Sequence, residues 1–167
     1  AASITHEWQV VDDIRQHMLY FLENHDEQRI ASDFFCGNAM KAIPAAAMSL
    51  FFQKNPFMLY SGQEFGEKGM DKEGFSGRDG RTTIFDYWSP STLAHAYQDS
   101  SDETLTAEQK YLAATYRQLL RLANEEKALR EGDTFDLMYV NPGSEGFDPR
   151  TNFAFLRKKD NEVMLIV

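Results

Sequence analysis

Between Glu23 and Arg29 the chain reads Glu-Asn-His-Asp-Glu-Gln-Arg, which brings three carboxylates, an imidazole, two amides and a guanidinium into one short run. Carboxylates and an imidazole this close together can move protons, stabilise developing positive charge or hold a cation. The residues alone leave three readings open. Glu23, His25, Asp26 and Glu27 are a potential metal ligand set. Glu23 to Glu27 could instead form a structural ion-pair network with Arg29. The third reading is a site that acts on a ligand. The metal reading requires Glu23, His25 and Glu27 to share one face of a continuing strand, because alternate strand residues point the same way. The polar composition argues for a loop.

The elements that must position this run lie on either side of it. Residues 18–22, Met-Leu-Tyr-Phe-Leu, are a continuous apolar run and suit a strand buried on both faces, as in a parallel sheet covered by helices. In such sheets the working residues sit where strands end and loops begin. Residues 30–38 read as a loop with Gly37 and Asn38 as turn residues. Residues 39–53 read as a helix with a broad apolar side, and Pro44 belongs in its first turn or at a kink. Asn55-Pro56 ends that helix, and residues 57–60 form a second short buried strand. Strand, helix and strand over this length make a βαβ unit.

At this point Phe21-Leu-Glu-Asn-His-Asp26 and Pro56-Phe-Met-Leu-Tyr-Ser-Gly-Gln-Glu-Phe-Gly66 can be read together. The first resembles the fourth sequence motif of the alpha-amylase family (glycoside hydrolase family 13). The second resembles that family's eighth strand and its glycine-rich exit. The resemblance is clear over residues 18–66 and elsewhere extends only to layout. It implies an α/β fold, here a partial (β/α)₈ TIM barrel running from strand 7 to helix 8, followed by the first antiparallel strands of a β-sandwich domain. The implied domains are 1–132, the C-terminal portion of the catalytic barrel, and 133–167, the beginning of an all-β domain.

Retaining glycoside hydrolysis uses two carboxyl groups about 5 Å apart, one as nucleophile and one as acid/base, and passes through an oxocarbenium-like transition state. The resemblance makes Asp26 a third, transition-state-stabilising carboxylate that also binds sugar hydroxyls. It makes His25 a donor to the same sugar, and Arg29 a substrate-side group within an Asn-His-Asp-x-x-Arg pattern. Asn24 is grouped with them as substrate-binding, and buttressing of the loop is its other reading. Glu64 is given a structural role. The family's nucleophile and acid/base would both precede Ala1, and Gly77-Arg-Asp79 has the wrong spacing to replace them. The isolated chain is therefore expected to be inactive. The parent would act on α-glucosidic bonds of starch or malto-oligosaccharides, and the alternative is a noncatalytic carbohydrate-binding or scaffold module. No cofactor is implied, and a structural calcium in the parent stays open.

With 167 residues the chain is long enough for one core and too short for a complete barrel of about 250. Hydrophobic residues at 43% and charged residues at 26% place it among globular chains. A net charge of −9 argues against nucleic acid, which needs clustered lysine and arginine. Neutral sugars make no such demand. Cys36 is the only cysteine, which excludes an intrachain disulfide and a cysteine-based zinc site. The apolar stretch 42–52 is shorter than the roughly 18 residues a spanning helix needs, so no membrane partner is expected. The compartment is left open.

The remaining segments frame this centre. Residues 5–15 read as a short helix that Thr5 is available to cap, with Trp8, Val11 and Ile14 on one face. His17 is structural. Six glycines between Gly62 and Gly80 form a specially shaped loop without the phosphate-loop pattern. Phe85, Tyr87 and Trp88 either stack on a sugar or pack that loop. His95 lies in a polar connector. Thr106 and Gln109 make a capping box that opens a helix over 107–131, ended by Gly132. Residues 135–140, 153–157 and 163–167 read as strands, with turns at 141–143 and 159–161. An incomplete barrel exposes apolar edges, so self-association is expected.

Overall fold

The computed structural model describes residues 2–69, 80–82, 91–98, 104–140, 143 and 145–167. It is a mixed α/β structure with a small parallel sheet, helices, and then a three-stranded antiparallel sheet; no closed barrel is formed among the described residues. The chain divides into two compact units, each assembled from separate stretches. Unit 1 comprises Ala1–Tyr20, Ser49–Pro56 and Arg121–Val167; unit 2 comprises Phe21–Met48 and Phe57–Leu120. Asp133, where the composition shifts, lies inside unit 1.

Unit 2 carries the polar run. Strand β1 (Tyr20–Phe21) pairs with β2 (Phe57–Met58). The apolar run at 18–22 was expected to be buried on both faces, and it is not: Leu19 is 49% exposed and Phe21 41%. The strand has one partner among the described residues, and burial alternates along it, so one side of the run is left in solvent. After the loop, the Asn38 side chain accepts from the Met40 amide at 2.8 Å and starts a 3₁₀ turn, Ala39–Lys41. This turn leads into α2 (Ala42–Phe51). Pro44 falls in its first turn, where the missing N–H costs no helical bond. Ala46 of α2 packs with Leu112 and Tyr116 of α4 (Ala107–Glu125), and Leu22, Ile43 and Leu59 close over them. Burial of Leu112 contributes about 1.5–3 kcal/mol.

Two further expectations in unit 2 meet the structure. The capping box is formed: Gln109 N donates to Thr106 Oγ1 at 3.2 Å, and Thr106 N to Gln109 Oε1 at 2.9 Å. His95 is not in a connector. It is an exposed residue of α3 (Ser91–Gln98).

Unit 1 begins with α1 (Ala2–Val10). Thr5 does not cap this helix. It lies within it, and its hydroxyl donates to Asp136 Oδ2 at 2.5 Å. Trp8, Phe52 and Phe155 meet edge to face, with ring centroids 5.2 and 5.0 Å apart, the arrangement that ring quadrupoles favour. The long helix expected over 107–131 is broken at Glu126, whose ψ of 119° is extended, and restarts as α5 (Lys127–Glu131). The break gives the amide of Ala128 to Glu162 Oε1 at 2.8 Å, a tertiary cap that replaces helical continuity. Strands β3 (Asp133–Asp136), β4 (Phe155–Lys159) and β5 (Glu162–Ile166) form the antiparallel sheet, with Phe135 opposite Leu156 and Leu156 opposite Leu165. The first strand ends early because Asp136 Oδ1 accepts from the Met138 amide at 2.7 Å and turns the chain. The turn at 159–161 is present, with Asp160 at φ 51°.

Candidate functional site

The polar run leaves the end of β1 and folds into a pinned bend. Its two ends, Glu23 and Arg29, are 2% and 1% exposed and face each other. Arg29 Nη1 donates to Glu23 Oε2 at 2.9 Å, while Glu23 Oε1 accepts from the Ile30 amide at 2.8 Å. The rest of the guanidinium is also committed. Nε donates to Thr82 Oγ1 at 3.1 Å and Nη2 to the Ser61 carbonyl at 2.8 Å, and the group stacks 4.4 Å from the centroid of Tyr60. Arg29 thus ties the bend to the chain leaving β2 and to the segment at 80–82. Its own amide donates to the Gly80 carbonyl at 2.8 Å. Gly80 has φ +78°, and a Cβ there would sit 2.0 Å from Ser32 Oγ, so only glycine allows this approach.

Between these ends the side chains divide. Asn24 Oδ1 accepts from the amides of Asp26 at 2.8 Å and Glu27 at 2.9 Å, an Asx turn that fixes the tip. His25 and Asp26 project from that tip, with side chains 52% and 76% exposed and His25 Nε2 3.3 Å from Asp26 Oδ2. Of the four residues singled out from the sequence, His25 and Asp26 are presented to solvent together. Asn24 holds the turn beneath them, and Arg29 lies inside with no face toward solvent. Glu64 Oε2 accepts from the Gly62 amide at 3.1 Å, a structural contact.

Burial sets the electrostatics beneath the tip. Loss of water pushes the Glu23 carboxyl above its usual range. The Arg29 hydrogen bond and charge, and the Ile30 amide, pull it back; nearby Glu67 pushes it further up. Tyr116 is pushed up to about 12, first by burial; the bond from Gln63 opposes this, and Glu23 and Glu64 add to it. Gln63 Nε2 donates to Tyr116 Oη at 2.8 Å. The contacts of Tyr60, Thr82 and Gly80 with Arg29, and the Gln63–Tyr116 pairing, escaped the sequence reading. Thr82 and Tyr116 lie 53 residues from their partners, a separation that leaves no local pattern to read.

Among the described residues no three His, Cys, Asp or Glu side chains gather as a metal-binding group. Glu23 turns inward to Arg29, while His25 and Asp26 face out. Phe85, Tyr87, Trp88 and Gly77-Arg-Asp79 lie outside the described residues. No described helix is long and apolar enough to cross a membrane. No protein-family model and no curated protein matches the chain.

Proposed function

We propose that this chain is the C-terminal part of an amylase-like retaining glycoside hydrolase: the last portion of its barrel over 1–132 and the start of its β-sandwich domain over 133–167. On this reading Asp26 stabilises the oxocarbenium-like transition state and hydrogen-bonds sugar hydroxyls, and His25 donates to the same sugar. The observation that carries the reading is the tip itself. A histidine and an aspartate are held in solvent at the exit of a parallel strand, on a turn made rigid by Asn24 and by a buried ion pair. A rigid support of this kind is what transition-state stabilisation requires. The nucleophile and acid/base come from outside this chain, so the chain alone turns nothing over. The substrate class is α-glucans or malto-oligosaccharides.

The test is Asp26→Asn in the parent enzyme. Removal of the charge while the shape is kept should lower kcat by about 10²–10³, as loss of a preorganised electrostatic partner does. A variant with wild-type kcat would sink the proposal.

A structural reading is favoured for Glu23 and Arg29. The burial of Glu23 and Arg29 makes that pair a support for the bend and not a substrate contact. The same fragment reading implies self-association. The outward side of β5 carries Val163 at 56% exposure and Leu165 at 63% with no described neighbour strand beyond β5. Light scattering after size exclusion should give a mass that rises with concentration, and a constant monomer mass would remove this part.

A further inference from the structure

The chain leaving β2 turns two polar side chains into the interior of unit 2 and leaves one oxygen of each without a donor. The turn is set by two glycines in the left-handed region, Gly62 at φ +91° and Gly66 at φ +68°. The Gly66 amide donates to the Gln63 carbonyl at 3.1 Å and the Glu67 amide to the Gly62 carbonyl at 3.0 Å. This wrap closes a short 3₁₀ turn, Gln63–Phe65, and brings Glu67 back over it. Gln63 and Glu67 are 2% and 4% exposed. Gln63 Nε2 donates to Tyr116 Oη, and Glu67 Oε1 accepts from the Gly69 amide at 3.1 Å. Among the described residues no donor reaches Gln63 Oε1 or Glu67 Oε2. Both orphaned atoms are acceptors, and a carboxylate oxygen is costly to enclose without a partner.

The surroundings draw these oxygens into one region. Tyr116 is bonded to Gln63 and feels the charge of Glu23, and Glu23 feels the charge of Glu67. Arg29 pairs with Glu23 and Lys68 with Asp33, which leaves the Glu67 charge without a paired cation among the described residues. We propose that Glu67 Oε2, Gln63 Oε1 and Tyr116 Oη form a site for one alkali-metal cation. Oxygen donors without nitrogen or sulfur suit a hard ion. Calcium takes six to eight oxygens and magnesium keeps several waters, whereas one carboxylate charge with an amide and a phenol oxygen matches a single positive charge. The ion ties the turn after β2 to α4 and lies beside Glu23, the carboxylate that holds the bend. The site stands whether or not the His25–Asp26 tip binds sugar.

Urea denaturation of the full chain in sodium, potassium or choline chloride at one ionic strength tests it. Sodium or potassium at about 100 times its Kd should lower the unfolded-to-folded ratio about a hundredfold relative to choline, because an ion bound only by the folded form stabilises it by mass action. Glu67→Gln keeps the shape, retains an oxygen for the Gly69 amide and supplies an N–H of its own in place of the ion. It should fold as well as wild type in choline and lose the dependence on sodium and potassium. If that variant does not fold, the sodium NMR line of the wild-type chain decides. Broadening that potassium reverses supports the site, and a line no broader than with the urea-unfolded chain overturns it. Equal midpoints in all the salts would mean that a water closes the pair, and the proposal fails. A folded Glu67→Gln chain that keeps the alkali-ion dependence would put the ion elsewhere and also defeat it. Stabilisation by calcium chloride with none by sodium or potassium would make the site divalent and equally sink the proposal.

Discussion

Among the described residues each unit fully buries one arginine, and the two are solvated by the protein in different ways. Arg29 in unit 2 meets a carboxylate, a hydroxyl, a carbonyl and the face of a tyrosine. Arg157 in unit 1 is 0% exposed and meets carbonyls only: Nη1 donates to Phe51 at 2.7 Å, and Nη2 to Leu129 at 2.9 Å and Gly132 at 2.7 Å. Burial pulls Arg157 down to about 10, with Asp133 opposing. In the pair under the tip, burial raises the carboxyl of Glu23. A carboxylate can shed that cost by taking up a proton as pH falls. A guanidinium held by carbonyls can shed it only at alkaline pH. The pair under the candidate site therefore contains a carboxylate whose burial raises it, whereas Arg157 is held by carbonyls.

The signs follow from proton linkage. Glu23 is raised above the usual 4.5, so the folded form binds more protons there than the unfolded form. Its contribution is fully present below 4.5 and is lost as pH rises through the raised value. Arg157 is lowered, so its contribution is present above its ordinary value and lost as pH falls through about 10. At pH 7 its charge is retained at a cost, which the three carbonyls offset.

The largest effect should come from Arg157→Met. It strips the donor from three carbonyls at the ends of α2 and α5, and each buried acceptor left unpaired costs about 1–3 kcal/mol. Urea denaturation, with hydrogen exchange read over 133–136 and 155–159, checks this. A loss below 0.5 kcal/mol, on the order of a surface substitution, would mean that water replaces the guanidinium and that Arg157 is no clamp.

Next in size is the pair beneath the tip. Glu23→Gln leaves Arg29 charged without a counter-ion, and the cost should be about 3 kcal/mol, the low end for a broken buried pair because the amide oxygen still accepts. Arg29→Met leaves Glu23, which can neutralise itself. Its cost should therefore be smaller at pH 5 than at pH 8, whereas the Glu23→Gln cost should lack that relief toward acid. Equal pH dependence of the two variants would break the contrast between a partner that titrates and one that does not.

These contrasts also mark how far the sequence could be read. The order of strand, polar bend, helix and strand was legible because periodicity and turn residues are local, and Pro44 and Asn38 sit where their backbone chemistry puts them. The turn-forming role of Asn24 was legible for the same reason. The inward turn of Arg29 was not. A guanidinium in a polar run looks solvated, and its partners Ser61 and Thr82 arrive from 32 and 53 residues away. The break at Glu126 was hidden likewise. Residues 107–131 have uninterrupted helical character, and the group that competes for the Ala128 amide, Glu162, lies on a later strand. The strand at 18–22 was read as doubly buried because its composition says so, but composition cannot say whether a neighbour covers the second face.

The smallest effect concerns α4, whose residues 107–120 belong to unit 2 and 121–125 to unit 1. Thr106→Ala removes the Oγ1 that accepts from the Gln109 amide and leaves that end of the capping box open. Loss of such a cap costs about 1 kcal/mol. The cost should fall on the first turn, which has no other side chain supplying its amides in this way. Hydrogen exchange should quicken there by roughly five- to sixfold, the factor that 1 kcal/mol represents at 25 °C. The last turn is held by different means, with Arg121 donating to Glu125 from Nε at 3.2 Å and Nη2 at 3.3 Å, an exposed i, i+4 pair that solvent screens. Exchange around 121–125 should therefore be unchanged by Thr106→Ala. Equal acceleration at both ends would show that α4 opens as one piece, and the separation drawn between the surroundings of Arg29 and of Arg157 would then not extend to the helix the two units have in common.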